Sequence, residues 1–500
     1  MRPDSTPADG SVVLASGPAA GAAAAQTDSS ALLPRLARSG LSVRLPRLRF
    51  LASPLAGRLA LSAVLLGAFA LVVLATGRAS ALVPRSSFGF PHWEAGPLHA
   101  LFGHPRVSFD GLNIAFSGFL VAMTLAYGVM LMAVRSLSMR AIAVGVVALH
   151  VILLMAPPMQ LTDVFNYLGY ARLGGVHHLN PYTHVIAAEA HDPIFRFTTW
   201  HNLRSPYGPL FTALSYPVSW LPIAAAYWLI KIGVVLGSLG FIALVWKCAR
   251  LLGRDPRFAV VFVAANPIYL FFAVAGFHND FFMLVPSMAA IALLLARRDR
   301  TAGAMVMIAV AVKFSAILLL PFLLIAARPP QRRLGVLAGA ALATVPLVAM
   351  SIAMFGLTIP NLHDQSTLLT DFSIPNVVGL ALGVGGGTPA LLRLGNVALV
   401  AVVLLLLRRR RDWISGAGWG TLALIASLAW LVPWYIIWAL PLAALGTSVR
   451  LRRASIAFTV FLVITFSPAT GMFMDAHHLD PLNTSAGHAS RLLQTKLAQK

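Results

Sequence analysis

A succession of apolar runs, most of them near the ~20 residues that carry a helix across a hydrocarbon layer, alternates with short basic blocks through most of this chain. Inside lipid no water is available to pair exposed N–H and C=O groups, so runs of this length fold as helices. They lie near 59–77, 112–134, 141–156, 223–246, 258–276, 281–296, 334–355, 390–407, 414–431 and 454–467. Hydrophobic residues make up 58% of the 500 and charged residues 11%, where a soluble domain carries about 25% charged. The mean hydropathy is +0.80. The fold class expected is an all-α polytopic integral membrane protein, a bundle of about 11–13 transmembrane helices with amphipathic helices in its outer loops.

Three stretches are not simple spans. Residues 207–222 are short and bounded by prolines, 433–447 are short, and 303–327 are apolar but interrupted by Lys313 and Pro321. Basic flanks on both sides make 303–327 a hairpin of two short helices. Residues 1–50 differ in composition: Ala, Ser, Pro and Gly dominate up to Ser30, and a cluster from Arg35 to Arg58 follows. We expect a disordered cytoplasmic tail at 1–50, not a signal peptide, with its arginines beside anionic headgroups. A membrane module at 51–467 and an extracytoplasmic tail at 468–500 complete the organisation. The lone Cys248 excludes an internal disulfide framework.

A net charge of +22 would suit a nucleic acid if it formed one face. Instead it is divided among Arg135 and Arg140, Lys247–Arg257, Arg297–Arg300, Arg328–Arg333, Arg408–Arg411 and Arg450–Arg453. That is the pattern of cytoplasmic loops, so the partner implied is a lipid bilayer and not nucleic acid. With the N-terminus inside, every histidine except His150 falls on an outer segment, as do Asp163, Asp280, Asp364 and Asp371. The chemistry is therefore expected on the extracytoplasmic face of a multi-pass protein of the cell membrane.

The outer loop at 157–206 carries the first candidate site. Pro157 and Pro158 end the preceding helix, and Thr162 is expected to cap the next one. Asp163 then stands at a positive helix N-terminus. Asn166 or Tyr167, and Tyr170, share its face at helical spacing. An ionisable group at the edge of so apolar a chain is a functional candidate by default. A carboxylate among hydroxyl-bearing rings suits binding a sugar and taking a proton from an acceptor hydroxyl. Its bland alternative is a plain first-turn acid. Arg172, Tyr182 and Tyr207 are further substrate-binding candidates in or beside this loop.

The tetrapeptide FHND, with His278, Asn279 and Asp280, lies between two apolar runs with almost no loop to hold it. A simple turn would explain it, but polar groups at that depth are costly, and a role in binding phosphate, sugar or acceptor is favoured. Lys313 must snorkel, pair or bind an anion, and as a point charge it suits a phosphate. Arg204 is the second phosphate candidate, and Lys231 is expected to snorkel to the outer interface. Trp430 and the run PWYIIW (Pro433 to Trp438) read first as an interfacial aromatic belt, with a stacking surface for sugar, Trp434 and Tyr435 in it, as the alternative. His177, His178, His191 and Asp192 read as solvated loop residues. No paired ligand spacing supports zinc, so no metal ligands are assigned.

Taken in order, DxxxYxxYARxxG with NPY, then SPYGPL at Ser205–Leu210, FHND, KFSAILLLPFLL and PWYIIWALPL resemble the polyprenol-phosphate-sugar-dependent membrane glycosyltransferases of the GT-C superfamily. Within it they are similar to the actinobacterial polyprenol-phosphomannose-dependent α-1,6-mannosyltransferases, over roughly residues 110–467. The resemblance implies a GT-C-like bundle that moves mannose, with inversion, from a polyprenyl phosphate donor to a glycan or glycolipid hydroxyl, for cell-envelope biosynthesis. It also implies that Asp163 is the general base. No second acid adjoins Asp163, so no cofactor and no required divalent metal are expected. A transporter or flippase of lipid-linked saccharides is the competing class, disfavoured because the polar residues gather on one face.

Overall fold

The computed structural model describes residues 50–77, 82–83, 91–99, 101, 103, 107–408 and 412–498. The expected tail at 1–50 lies, but for Phe50, outside the described residues. Helices account for the architecture, with no β-strand among the described residues. The first long helices are α1 (Pro54–Ala75), α2 (Phe109–Ala133) and α3 (Met139–Leu154). Ser53, Ser108 and Ser138 stand at their N-caps and accept the N–H of Ala56, Gly111 and Ala141, relieving donors that the first turn leaves unpaired.

The segment that follows contains α4 (Asp163–Gly175) and the short α5 (Pro209–Ser215), the latter started by a proline in its first turn. Next come α6 (Ile223–Leu251) and α7 (Pro256–Ala264). The run 258–276, expected as one span, is broken. Asn266 and Pro267 end α7, and a π-helical turn follows at Tyr269–Val274. Proline has no N–H to continue the helix. Asn266 substitutes for the lost bonds, accepting from the N–H of Ile268 and donating to Thr459 Oγ1 at 3.0 Å.

Beyond the break stand α8 (Asp280–Leu295), α9 (Asp299–Val312), α10 (Leu319–Ala326) and α11 (Pro330–Phe355). Residues 303–327, expected as a hairpin of two short helices, hold the larger part of α9, a short 3₁₀ turn and α10, with Lys313 extended between α9 and the turn. Gly303 of α9 and Gly339 of α11 let the two backbones touch; a Cβ on either would collide with the carbonyl of Val336 or Arg300. The chain continues through α12 (Ile374–Ala381), α13 (Pro389–Arg408), α14 (Trp413–Ser427), a 3₁₀ turn at Pro433–Trp438 and α15 (Leu440–Leu445). It closes with α16 (Val449–Thr465), α17 (Pro468–Ala476) and α18 (Ser485–Ala498), so the expected tail at 468–500 is largely helical.

Among the described residues five helices, α1, α2 (extended to Ser136), α6, α11 and α13, are long and apolar enough to cross a membrane. The count is six if α16 and α17, bent by 54°, make one span. Four more apolar helices of 10–17 residues include α3 and α8. The expected number was higher because apolar runs were equated with whole spans, while several are broken by Asn, Pro or Lys. No residue of α13 is fully buried: Leu392, Val403, Leu406 and Leu407 pack on the rest of the protein, while Leu394, Val397, Val400, Leu404 and Leu405 are exposed, as contact with lipid allows.

Candidate active site

Two short arms meet above the π-helical turn. One is the strap from Ala156 to Asp163, created by Pro157 and Pro158; the N–H of Met159 donates to the Ala275 carbonyl at 2.9 Å. The other arm runs from Ala275 to Asp280, and Phe277 takes φ +52°, a left-handed conformation rare for an aromatic residue. Lys231, rising from α6, holds both. Its Nζ donates to the Ala156 carbonyl at 2.7 Å and lies 4.6 Å from the Phe277 ring centre and 3.8 Å from that of Trp228. The expectation that Lys231 snorkels to an interface is thus corrected: it is fully buried in a box of rings. A carbonyl that no helix could pair and a cluster of π faces make burial cheaper than reaching water.

Where the arms meet, Asp163, Tyr167 and Tyr170 of α4 line one wall of a cavity of about 220 Å³. The expected cap is absent, since the Thr162 side chain makes no bond to the first turn. The Asp163 side chain is 19% exposed and has no side-chain hydrogen bond among the described residues; its Oδ2 stands 3.5 Å from Nδ1 of His278. The His278 ring is stacked on Trp434, centres 3.7 Å apart and planes 11° from parallel, which fixes its orientation. Nδ1 of His278 and Nδ2 of Asn279 are both buried without a hydrogen-bond partner among the described residues. Buried polar atoms left open are rare and costly, so both remain available for bonding.

The opposite wall carries charge that is already paired. Lys313 Nζ donates to Asp280 Oδ1 at 2.8 Å, and the Trp438 indole donates to the same oxygen at 2.6 Å. Lys313 also lies 5.0 Å from the ring centres of Tyr435 and Trp438. Its position is set by the SPYGPL loop: the N–H of Gly208 donates to the Val312 carbonyl, and a Cβ there would collide with the Ala311 carbonyl. Tyr167 bridges the two sides, accepting the N–H of Asn279 at 3.2 Å. Burial, then the Asp163 charge, hold its phenol well above the ordinary value, so it stays neutral. Tyr207, edge-on to Tyr167 at 4.9 Å, is raised for the same two reasons.

Of the residues singled out from the sequence, Asp163, Tyr167, Tyr170, Tyr207, His278, Asn279, Asp280, Lys313, Trp434 and Tyr435 line this cavity. Four others do not. Asn166 turns to the backbone of Thr199 and Trp200, whose N–H groups it accepts at 3.0 and 3.2 Å. Tyr182 donates to the Tyr207 carbonyl and so tethers a lining residue from behind. Arg204 is exposed, which leaves Lys313 as the cation in the lining among the described residues. Arg172 is bound to Asp192 at 2.8 Å, and His177 reaches the same carboxylate at 2.6 Å. Asp192 and His177 are therefore not the solvated loop residues expected. Burial acts to raise the Asp192 carboxyl, but the bonds from Arg172 and His177 outweigh it and hold it below the usual carboxylate range.

Sequence reading passed over Trp200 and Gln365 and treated Trp430 and Trp438 as membrane-edge aromatics. All four line the cavity. Trp438 could have been suspected, since it is one helical turn from Trp434; Trp200 stands in a loop and Gln365 in a short helix (His363–Thr367), neither with a local signal. Among the described residues, no group of three or more His, Cys, Asp or Glu could hold a metal ion.

Residues 64–328 match the family described as alpha-(1->6)-mannopyranosyltransferase, N-terminal domain, and 369–482 match the MptB C-terminal domain. The chain belongs to the alpha-(1->6)-mannopyranosyltransferase family. The first match holds Asp163, His278 and Lys313, the second Trp430 to Trp438, so both domains contribute walls to one cavity. Relatives include alpha-(1->6)-mannopyranosyltransferase A of Mycobacterium tuberculosis, 27% identical over 65% of this chain and 69% of its own length. A protein named probable alpha-(1->6)-mannopyranosyltransferase from Mycolicibacterium smegmatis is also 27% identical, over 64% of this chain and 67% of its own length. No solved structure matches. The mannosyltransferase family membership decides between the two classes left open by the sequence: this chain is a glycosyltransferase and not a transporter.

Proposed function

We propose that this chain transfers mannose from a polyprenyl phosphate donor to a hydroxyl of a cell-envelope glycan or glycolipid, with inversion, on the extracytoplasmic face. The observation that carries this reading is the open carboxylate of Asp163 facing the same cavity as the anchored cation Lys313. Asp163 accepts the proton of the acceptor hydroxyl while that oxygen bonds to the anomeric carbon. The bond from that carbon to the phosphate oxygen breaks, and its electron pair leaves with the polyprenyl phosphate. Lys313 meets the charge that develops there, while the Trp438 indole N–H stays on Asp280. Asp280 holds the lysine until phosphate arrives. His278, with Nδ1 turned toward Asp163, suits orienting that carboxylate better than binding phosphate.

Two further features support the donor and the face. An apolar recess lined by Met283, Met288, Ile291 and Leu318 adjoins the cavity through Ser315, Leu424 and Trp438, a fitting path for a prenyl chain. The basic block Arg297–Arg300 lies a full helix away from Asp280 along α8, as expected if the site is outside. Asp163, Tyr167 and Tyr170 share one surface of α4, as a sugar-binding wall would require. The proposed chemistry calls on no metal.

Purified protein in detergent, given a short-chain polyprenyl phosphomannose and a mannose oligomer, tests the proposal by mass spectrometry of the products. Transfer by the wild type with and without chelator, and none by Asp163→Asn, is the expected result. Undiminished transfer by Asp163→Asn would remove the base assignment; loss with chelator would remove metal independence.

A further inference from the structure

The C-terminal helix α18 lies outside both family-matched segments, yet it packs behind part of the cavity wall. Leu497 is buried against Leu203 and Leu368, and Leu493 packs on the same cluster together with Trp200 and Trp430. Trp200, Leu203, Leu368 and Trp430 all line the cavity; neither leucine of α18 does. The helix is fastened at its last turn, where carbonyls have no partner within the helix. The N–H of Asn202 donates to the Leu497 carbonyl at 2.9 Å, and its Nδ2 to that of Lys496 at 3.1 Å. Further back, Ser490 Oγ accepts the N–H of Leu369 at 2.7 Å. Every one of these bonds grips a residue next to a cavity-lining side chain.

The wall so supported differs chemically from the Lys313 end. There the adjoining recess is apolar. Here the two indoles of Trp200 and Trp430 meet edge-on at 6.0 Å, Gln365 stands beside them, and the adjoining recess adds Asn396 and Ser427. Rings to cover C–H faces and a few amides to meet hydroxyls are what a saccharide needs, and what a prenyl chain does not.

We propose that the Trp200–Trp430 end is the subsite for the acceptor saccharide beyond the accepting hexose, and that α18 sets its shape through Leu493 and Leu497. The assignment rests on the proposed transfer reaction for the direction in which the acceptor lies. Trp200 and Trp430 are binding residues; Leu493 and Leu497 are positioning residues that act through them.

The test compares a monomannoside with a trimannoside as acceptor, in the full chain, for wild type, Trp430→Ala and the double variant Leu493→Ala/Leu497→Ala. Direct trimannoside binding is measured in parallel by calorimetry. We expect the wild type to favour the trimannoside and both variants to lose about tenfold of that preference through acceptor KM, with donor KM unchanged in the double variant. The binding arm should show the same loss, and a melting curve near that of the wild type checks that the double variant is folded. Should it not fold, Trp430→Ala carries the test alone. If no mannoside accepts sugar but trimannoside binding still depends on Trp430 and on the α18 leucines, the reaction is misassigned and the subsite stands. Binding and length preference indifferent to Trp430, or donor and acceptor KM rising together in the double variant, would overturn the subsite.

Discussion

Two aspartate–histidine pairs stand at the two ends of α4 and behave in opposite ways. Asp192 and His177 are 2.6 Å apart, joined by Arg172, whose guanidinium also donates to the Ser219 carbonyl at 3.0 Å. Asp163 and His278 are 3.5 Å apart, with the histidine nitrogen unbonded and the carboxylate facing a cavity. The first pair has spent its bonding capacity on holding the loop to the end of α4. The second has kept it. A buried polar group that is already satisfied stabilises structure, whereas one left open is held that way at a cost and is available to a substrate.

The sharpest way to break this comparison is to neutralise each aspartate in turn. Asp163→Asn should lower turnover by about 10²–10⁴-fold while leaving the melting temperature near that of the wild type. Asp192→Asn should do the reverse. It strips the charge that Arg172 and His177 share and should cost about 1–3 kcal/mol of stability, with activity per folded molecule retained. A denaturant titration beside an activity assay reads both. Equal effects of the two substitutions on stability would erase the distinction.

Lys313 and Asp280 sharpen it next, because they belong to the cavity and yet are paired. Lys313→Ala leaves Asp280 buried beside Trp438 alone and should lose both stability and donor use. Adding Asp280→Asn should recover most of the stability and none of the activity. Recovery of donor kcat/KM in the double variant would make the pair purely structural.

A smaller effect is expected at Gly276. A Cβ there would stand 2.5 Å from the Phe272 carbonyl and 2.7 Å from His278 Nε2, so Gly276→Ala strains the turn and displaces the ring that it holds. Turnover should fall by about 10–100-fold, since catalytic geometry tolerates little displacement. Unchanged kinetics would show that His278 need not be held.

The smallest effect concerns pH. The Asp192 carboxyl is held below its ordinary value, so its contribution to stability is complete above the unfolded value of about 4. It is lost as pH falls further, through the lower folded value. The wild type should therefore lose more stability than Asp192→Asn on acidification below about pH 4, and parallel curves would contradict the pairing.

Much of the fold was legible because it follows from local rules. Run length and proline position are properties of neighbours in the chain. The apolar run at 258–276 misled for a specific reason: Asn266 compensates the break by bonding to Thr459, 193 residues away. The site divided in the same manner. Asp163, Tyr167 and Tyr170 fall on one helical stripe and could be grouped from spacing alone. Asn166, one position off that stripe, was captured by the backbone of Thr199. Lys231 could be recognised as anomalous, but nothing local told that its carbonyl acceptor lay at Ala156.

By itself the sequence determined that the chain is helical and membrane-embedded, and which residue types were available for chemistry, because burial in lipid and helical periodicity act on neighbours. Only the tertiary structure decided which of two similar acids stayed open, which aromatics turned inward as a cavity wall, and that the last helix would brace that wall. Those choices depend on hydrogen bonds and ring contacts between segments tens to hundreds of residues apart, and a carboxylate carries no local mark of whether a distant arginine will reach it.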